Sequence, residues 1–242
     1  MKKYLILFLI LISLNAFSQE YYQVVTYRAA PGKLLDLIDV LKEDMANYEE
    51  YGIGTPFLMR HSQGDHWDLL MMFSIGQRLD TYFSETEIAK RQASNSLSQA
   101  YNSSFFDLIS FTEEQIVTGP SKEEFERRFK RFNYYHVEIF QALAGKRNEL
   151  LQQRKMENVY LKEIGRDDNL IFTKVFGGEA DCFTLGFYRD IKHFAESADI
   201  PIEKEDAAAK KAGFESVYTI GSYLRSLLLK HHDTLAGAVR LN

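Results

Sequence analysis

The sequence has little cysteine and no motif for the best-known kinds of catalysis. Cys182 is the only cysteine in 242 residues, so the chain has no internal disulfide, and its place in an apolar, strand-like run predicts a buried, unreactive thiol. The chain has no Gly-rich phosphate loop, GxSxG, HExxH, CxxC or CxxCH sequence, which argues against nucleotide, serine-hydrolase, zinc-peptidase and c-type haem chemistry. The cofactor is therefore unknown, and no motif requires one.

The chain also lacks a surplus of basic residues. Its formal charge is −5, and it becomes −7 when Lys2 and Lys3 leave with the N-terminal segment described next. An acidic protein without a basic patch is a poor partner for nucleic acid or for an anionic membrane. We therefore expect no nucleic-acid partner and, after cleavage, no membrane partner.

Residues 1–18 predict a signal peptide. Lys2 and Lys3 precede an apolar run over 4–14, and Ala16-Phe17-Ser18 has the small-x-small pattern of a cleavage site. The apolar run is shorter than the ~20 residues that span a bilayer, which argues against a membrane anchor. We expect an exported protein, periplasmic or secreted.

One stretch of sequence occurs twice. Residues 21–33, YYQVVTYRAAPGK, return as residues 134–146, YYHVEIFQALAGK, with six of the thirteen positions identical. The same offset of 113 pairs residues further along the chain, such as Gly52 with Gly165, Gly64 with Gly177 and Asp68 with Asp181. Glycines that recur in step at the expected turns indicate a tandem duplication.

Each repeat predicts the order strand, helix, hairpin, helix, strand. In the first repeat a strand over 21–28 precedes an amphipathic helix that stops at Gly52. A hairpin, a helical region over 79–109 broken near 94–98, and a short strand over 114–118 follow. We expect the first repeat at 20–119 and the second at 134–242.

The segment over 120–133 predicts a linker helix rather than a flexible tether. Ser121 followed by Glu124 has the pattern of a capping box. Phe125, Phe129 and Phe132 would then share one helical face and pack on the body of the protein.

The second repeat follows the same plan with a change of register. Gly119 matches Gly237 at an offset of 118, which places a five-residue insertion near 199–205. We expect the last helix to end at about Asp233 and a short strand over 235–239 to close the repeat.

A βαββαβ unit is the ferredoxin-like arrangement, an antiparallel sheet with both helices on one face. The strand that ends in Gly-Lys at the start of a helix, followed by a hairpin, resembles the dimeric α+β barrel superfamily. Its members include antibiotic-biosynthesis monooxygenases, NIPSNAP-type proteins and haem-binding chlorite-dismutase relatives. The resemblance implies an α+β fold in which two tandem repeats pack sheet against sheet as an intramolecular pseudo-dimer, and it leaves a homo-oligomer open.

Strand alternation assigns the two faces of each sheet. Tyr135, Val137 and Ile139 form the more apolar set, so we expect them against the helices. His136 and Glu138 would then point into the space between the sheets. Polar groups in an enclosed, aromatic-rich space are typical of ligand pockets.

His136 and Glu138 are accordingly the predicted catalytic residues, His136 as the proton acceptor and Glu138 as the group that orients the ligand. The alternative is a hydrogen-bonded histidine and a glutamate paired with Lys174 or Arg60. Further pocket residues are predicted on neighbouring strands: Gln23, Tyr27, Arg60, His61, Tyr134, Phe140 and Lys174.

His231, His232 and Asp233 are weak candidates for a metal site. Ligands of one ion on a helix usually lie three or four residues apart, and these are consecutive. A helix C-terminus also favours histidine without any metal. We therefore assert no metal site, although the register sets Glu113 and Glu114 opposite the two histidines.

Two functions stay open. The first is the binding of a small apolar or aromatic ligand in the barrel interior, to which the resemblance adds cofactor-independent, monooxygenase-like oxidation. The second is a non-catalytic envelope protein that associates with other proteins and whose interior is filled by its own side chains. The sequence does not decide whether the protein is an enzyme.

Overall fold

The computed structural model describes residues 20–64, 66–93 and 103–241. The predicted signal peptide and the predicted helix break over 94–98 lie outside these residues, so both stay predictions. Among the described helices, none is long and apolar enough to cross a bilayer.

The first half of the chain has the predicted order of elements. Its strands are β1 (Glu20–Ala29), β2 (Phe57–Gln63), β3 (Leu69–Gly76) and β4 (Ile109–Gly119). Its described helices are α1 (Leu34–Glu50), α2 (Leu79–Tyr82), α3 (Glu85–Ala93) and α4 (Ser103–Phe106). Helix α5 (Lys122–Arg131) follows, within the segment predicted to join the repeats.

The second half repeats this order. Its strands are β5 (Tyr134–Ala142), β6 (Leu170–Gly177), β7 (Cys182–Tyr188) and β8 (Leu228–Val239). Its helices are α6 (Arg147–Ile164), α7 (Ile191–Ala195), a 3-10 turn (Glu196–Asp199), α8 (Ile202–Lys211) and α9 (Val217–Ser226). Gly165 ends α6 in the left-handed conformation, with a φ of 89°.

The eight described strands close into one barrel in the order β1-β3-β2-β8-β5-β7-β6-β4. Each half supplies four neighbouring strands, and the antiparallel pairs β2–β8 and β4–β6 join the halves. Strands β4 and β8 are longer than predicted because the earlier residues of β4 pair with β1 and those of β8 pair with β5. The predicted α+β, pseudo-dimeric barrel is confirmed.

The two halves also repeat a side-chain hydrogen bond at an offset of 113 residues. Asp68 Oδ2 accepts from the backbone N–H of Ala29 at 2.7 Å, and Asp181 Oδ2 accepts from that of Ala142 at 2.9 Å. Each aspartate ties the end of the first strand of its half to the hairpin. This match agrees with a tandem duplication, which stays a prediction.

The barrel interior is an apolar core. Tyr22 and Val24 from β1, and Tyr135 and Val137 from β5, are buried there together with residues of the other strands. Because the interior is enclosed by both sheets, it takes the more apolar set of each strand. The predicted faces are therefore reversed, and the alternate residues of β1 and β5 lie under the helices.

Helix α5 closes one end of the barrel. The Ser121 side chain caps it by accepting from the backbone N–H of Glu124 at 3.3 Å. Phe125 and Phe129 are buried among the interior aromatics, and the Phe129 ring stacks on Tyr135 with 5.1 Å between centroids. The helix predicted between the repeats is thus observed, while the domain limits stay predictions.

Candidate functional site

A cavity of about 310 Å³ lies in the first half, between the outer face of the sheet and the helices. Its walls are largely apolar and aromatic, with Val25, Tyr27, Tyr48, Phe73 and Ile88 among the lining residues. The volume is at the lower end of the range for small-molecule sites. Of the predicted pocket residues, Gln23 and Tyr27 line this cavity, on the helix side and not inside the barrel.

One end of the cavity is polar and is organised by hydrogen bonds. The Tyr82 hydroxyl donates to Gln23 Oε1 at 2.5 Å, and Gln23 Nε2 donates to Glu114 Oε2 at 3.3 Å. The Arg91 guanidinium lies over the Tyr82 ring, with 3.8 Å from Cζ to the ring centroid. The cavity therefore places a carboxylate and a guanidinium beside an apolar wall.

The second half carries a cluster of ionisable side chains at the equivalent place. Glu138 corresponds to Val25, and it lies opposite Asp233 across β5–β8 as Val25 lies opposite Glu114 across β1–β4. Asp233 thus corresponds to Glu114, so the predicted register at this end is wrong by one residue. The sequence does not fix the length of the insertion to a single residue, because the inserted segment has no counterpart in the first half.

Strand β8 contains the residues that we expected at a helix end. Successive side chains of a strand alternate, so His231 and Asp233 face the helices while His232 faces the end of the barrel. His231 Nε2 lies 3.6 Å from Glu138 Oε1 and 3.9 Å from Asp233 Oδ2. His136 Nε2 is in direct contact with Asp233 Oδ1.

Three of these residues are spaced as metal ligands. His136, Glu138 and Asp233 each offer one ligand atom, and these atoms lie within 4.8 Å of one another. Among the described residues, this is the group of His, Cys, Asp and Glu side chains that has such spacing. The argument against a metal site assumed consecutive helical residues, and that assumption does not hold for a strand.

Helix α6 brings an arginine into the same cluster. Arg154 is only 2% exposed, and its Nη1 lies 3.4 Å from Glu138 Oε2. Thr184 Oγ1 donates to the same carboxylate oxygen at 3.0 Å. The predicted alternative, in which Lys174 or Arg60 pairs with Glu138, is wrong because the pairing charge comes from a helix and not from a neighbouring strand.

The charges of the cluster shift two pKa values. Burial raises the pKa of Glu138, but the hydrogen bond to His231 and the charge of Arg154 outweigh it and hold the pKa below its usual range. Burial lowers the pKa of His136, but the hydrogen bond with Asp233 and the charge of Glu138 outweigh it and raise the pKa. Glu138 is therefore ionised at neutral pH.

The predicted site residues that do not line the first-half cavity lie either in the second-half cluster or away from both sites. Phe140 joins the second-half cluster by stacking on His231, with 4.8 Å between ring centroids. Three more lie outside both sites. Lys174 pairs with Asp181 at 3.5 Å, and His61 Nδ1 contacts the Trp67 carbonyl at 2.5 Å. Tyr134 Oη lies 3.3 Å from Ser62 Oγ. Arg60 is exposed beside an open groove.

Sequence reasoning missed Tyr82 and Arg91, which bound the cavity, and Arg154, which pairs with Glu138. The first two lie on short helices that the pattern of apolar residues did not resolve. The sequence did contain a signal for Arg154. The repeat offset of 113 places it at the position that Leu41 occupies in the core of the first half. A charge at a core position predicts a buried ion pair.

The barrel interior itself offers little room. Beside its core, a void of about 30 Å³ lies at the end opposite α5, next to Thr26 and the stacked rings of His66 and His232. That volume suits a water molecule rather than an organic ligand. The prediction of a ligand in the barrel interior is therefore wrong for the described residues, because aromatic and aliphatic side chains fill the space.

Comparisons with known proteins find the fold and not a close relative. No family model matches the chain, and no curated protein matches it. An anthrone oxidase-like protein has 11% identity and a TM-score of 0.58, with 92% of each chain covered. A proposed monooxygenase from Fusobacterium nucleatum has 8% identity and a TM-score of 0.54, with 93% of this chain and 94% of its own covered. A mutant chlorite dismutase from Candidatus Nitrospira defluvii has 12% identity and a TM-score of 0.52, with 94% of each chain covered.

The expectation that no cofactor is required is corrected by these comparisons. They include a chlorite dismutase, whose relatives bind haem, so the missing CxxCH motif does not exclude haem in this fold. Of the residue types that ligate haem iron, the described lining of the first-half cavity has only tyrosine, and its volume of about 310 Å³ lies at the lower end of the range for small-molecule sites. That cavity is therefore a poor fit for haem, and we derive no reaction step through it.

The closed order of eight antiparallel strands, the helices on the outer face and the three solved structures agree. The chain has the fold of the dimeric α+β barrel proteins, with both ferredoxin-like units supplied by one polypeptide.

Proposed function

We propose that this protein binds a small, largely apolar or aromatic molecule with one polar end in the first-half cavity. The observation that carries the proposal is the cavity itself, about 310 Å³ of space beside Val25, Phe73 and Ile88 that ends at Arg91 and Glu114. Burial of apolar ligand surface supplies roughly 25 cal/mol per Å². The polar end fixes the orientation of the ligand.

The charges at that end favour a ligand with a carboxylate or a phenolic hydroxyl. Arg91 can bind an anionic oxygen, and Glu114 can accept a hydrogen bond from a hydroxyl. The Tyr82 hydroxyl is held by Gln23, which keeps its ring in place as one wall. An aromatic acid or a phenol of one to three rings combines both features.

Oxidation of such a ligand by dioxygen is a second candidate. It is favoured by the Glu114 carboxylate at the cavity and by the fold shared with an anthrone oxidase-like protein. Glu114 would take a proton from an activated CH₂ group, and the resulting carbanion would reduce dioxygen. One O₂ is consumed and one water leaves as CH₂ becomes C=O.

Binding is tested by thermal shift and calorimetry with matched pairs of naphthoates, naphthols and uncharged naphthalenes, together with quinones, flavonoids and haem. Ile88→Trp should fill the cavity and abolish binding, whereas Arg91→Met should weaken binding of the acids more than that of the phenols. Lys90→Met is the matched control, because Lys90 lies next to Arg91 on α3 but does not line the cavity. Oxygen uptake and product formation test the oxidation.

The same experiment addresses the protein-association function. A barrel interior filled by its own side chains is what that function predicts, and the interior has this property. If no ligand stabilises the protein and Ile88→Trp is silent, the cavity does not serve as a binding site. Association with other proteins then becomes the better proposal.

Export is part of the proposed function and is supported by the basic, apolar and small-x-small pattern of residues 1–18. N-terminal sequencing of the protein recovered outside the cytoplasm should begin at Gln19. An intact Met1 in that fraction would contradict cleavage.

A further inference from the structure

We propose that the second half binds one divalent transition-metal ion, with His136, Glu138 and Asp233 as ligands and His231 beside them. The three ligand atoms lie within 4.8 Å of one another, and His231 Nε2 lies within 4 Å of both carboxylates. This site is separate from the first-half cavity, so it does not depend on the function proposed there.

The backbone places these side chains on one surface. His136 and Glu138 are two residues apart on β5, and Asp233 lies directly opposite Glu138 on β8. Residues two apart on a strand share a face, and residues opposite each other on neighbouring strands are the closest pairs of a sheet. Two strands therefore hold the ligands without help from a loop.

The donor set suits an ion such as Zn²⁺ or Mn²⁺. Imidazole nitrogen favours zinc and iron, and carboxylate oxygen favours manganese, so a mixed set selects first-row divalent ions rather than calcium or copper(I). Bonds of ~2.0–2.2 Å place neighbouring ligand atoms ~3–3.5 Å apart around one ion. The 3.6 Å between His231 Nε2 and Glu138 Oε1 is close to this spacing.

One contact must open to admit the ion. His136 Nε2 and Asp233 Oδ1 are hydrogen-bonded to each other, so they must move apart to coordinate the same ion. The Asp233 side chain is 57% exposed and that of His136 is 19% exposed, so Asp233 can make this movement. Its exposure also gives the ion a path from solvent.

Neighbouring side chains hold Glu138 and His231 in fixed orientations. Thr184 Oγ1 donates to Glu138 Oε2 at 3.0 Å, which leaves Oε1 facing His231. The His231 ring lies parallel to Phe140, with an interplanar angle of 4°. Hydrogen bonds and packing of this kind orient metal ligands before the ion arrives.

The charge of the cluster also suits a divalent cation. Glu138 and Asp233 bring two carboxylates to the ion, and Arg154 pairs with the adjacent Glu157 as well as with Glu138. The first half lacks this arrangement, because Gln23 and Val25 stand where the second half has His136 and Glu138.

Zn²⁺ and Mn²⁺ are titrated separately into the chelator-treated full protein by calorimetry, and bound metal is counted by elemental analysis after dialysis. We expect saturable binding of one ion per chain and a rise in Tm with metal. Asp233→Asn should weaken binding by about tenfold or more, since even the loss of a group that only supports a ligand costs ~10–100-fold. Glu138→Gln should do the same.

His232→Ala is the matched control, because His232 is the neighbour of Asp233 on β8 but faces the barrel end. It should leave affinity and stoichiometry unchanged. Asp233→Asn alters an exposed side chain and keeps the test valid if Glu138→Gln fails to fold. No saturable binding of either ion, or a loss in His232→Ala equal to that in Asp233→Asn, would overturn the site.

Discussion

Arg154 occupies in the second half the position that Leu41 occupies in the first, 113 residues earlier, and both side chains are buried under the helix-covered face of their sheet. Leu41 packs there with Val25 and Tyr27. Arg154 instead pairs with Glu138 and lies over Phe140, which stand at the equivalents of those two residues. The same place in the fold is therefore apolar in one half and ionic in the other.

Arg154→Leu should destabilise the protein by about 3–5 kcal/mol, because it leaves Glu138 as a buried charge without its arginine. Adding Glu138→Val recreates the Leu41–Val25 pair of the first half. We expect the double variant to recover at least half of the lost free energy of unfolding, since a buried ion pair contributes little compared with apolar residues of similar size. Urea denaturation followed by circular dichroism measures both values.

These measurements need a chelator in the buffer, so that metal binding at Glu138 does not contribute. Leu41→Ala in the first half is the control for simple loss of packing. Strictly additive losses in the double variant would show that Arg154 and Glu138 do not interact in solution.

Cys182 should react slowly with thiol reagents while the protein is folded. It is 2% exposed, and burial raises the pKa of its thiol to about 12. Because the ordinary value is about 8.5, the thiolate fraction at pH 8 is lower by on the order of 10³-fold in the folded protein. The rate of alkylation, followed by mass spectrometry, should rise sharply in urea. Fast labelling in native buffer would contradict the buried position.

Asp168 should make the stability of the protein depend on pH. Burial raises the pKa of Asp168, but hydrogen bonds from Lys162 at 2.7 Å and Arg128 at 2.8 Å outweigh it and lower the pKa. Because the pKa is lower in the folded state, the ionised carboxylate stabilises the fold at pH values above the unfolded-state pKa of about 3.9. This stabilisation is lost as the pH falls through the folded-state pKa.

Asp168→Asn should therefore cost about 1–2 kcal/mol at pH 7, and the difference from the unmodified protein should narrow below pH ~4. Urea denaturation at pH 7, 5 and 3 measures this trend. Asp167→Asn is the control, since Asp167 is exposed and adjacent. A loss that stays constant over this range would mean that the charge of Asp168 is not what stabilises the fold.

The fold could be predicted from the sequence because its signals are local and occur twice. Matching glycines and the recurring strand-to-helix sequence set the order of elements, and closure of two open sheets into one body followed from their bare faces. The last strand was predicted too short. Residues 230–233 are polar and follow a helix, and only their pairing with β5 extends the strand through that part of the chain.

The location of the site could not be predicted, because both faces of each sheet are covered. Alternation along β5 separates His136 and Glu138 from Tyr135 and Val137, but it does not say which set faces the helices. The enclosed interior takes the more apolar set, and the partner that Glu138 finds under the helices, Arg154, lies 16 residues away on α6. The grouping of His136, Glu138 and Phe140 was right, whereas the direction in which they point was wrong.

Phe125→Ala should test whether α5 is part of the barrel core or only lies against it. Phe125 is fully buried, and its ring contacts come from both halves, with 4.1 Å between centroids to Phe57 and 5.5 Å to Phe172. Its removal leaves a cavity where the halves meet, so we expect a loss of about 3–5 kcal/mol in the free energy of unfolding. Phe111→Ala on β4 is the control, because Phe111 is 44% exposed and should change stability by only about 0.5 kcal/mol. Equal, small losses for the two variants would mean that the barrel is stable without the helix that closes it.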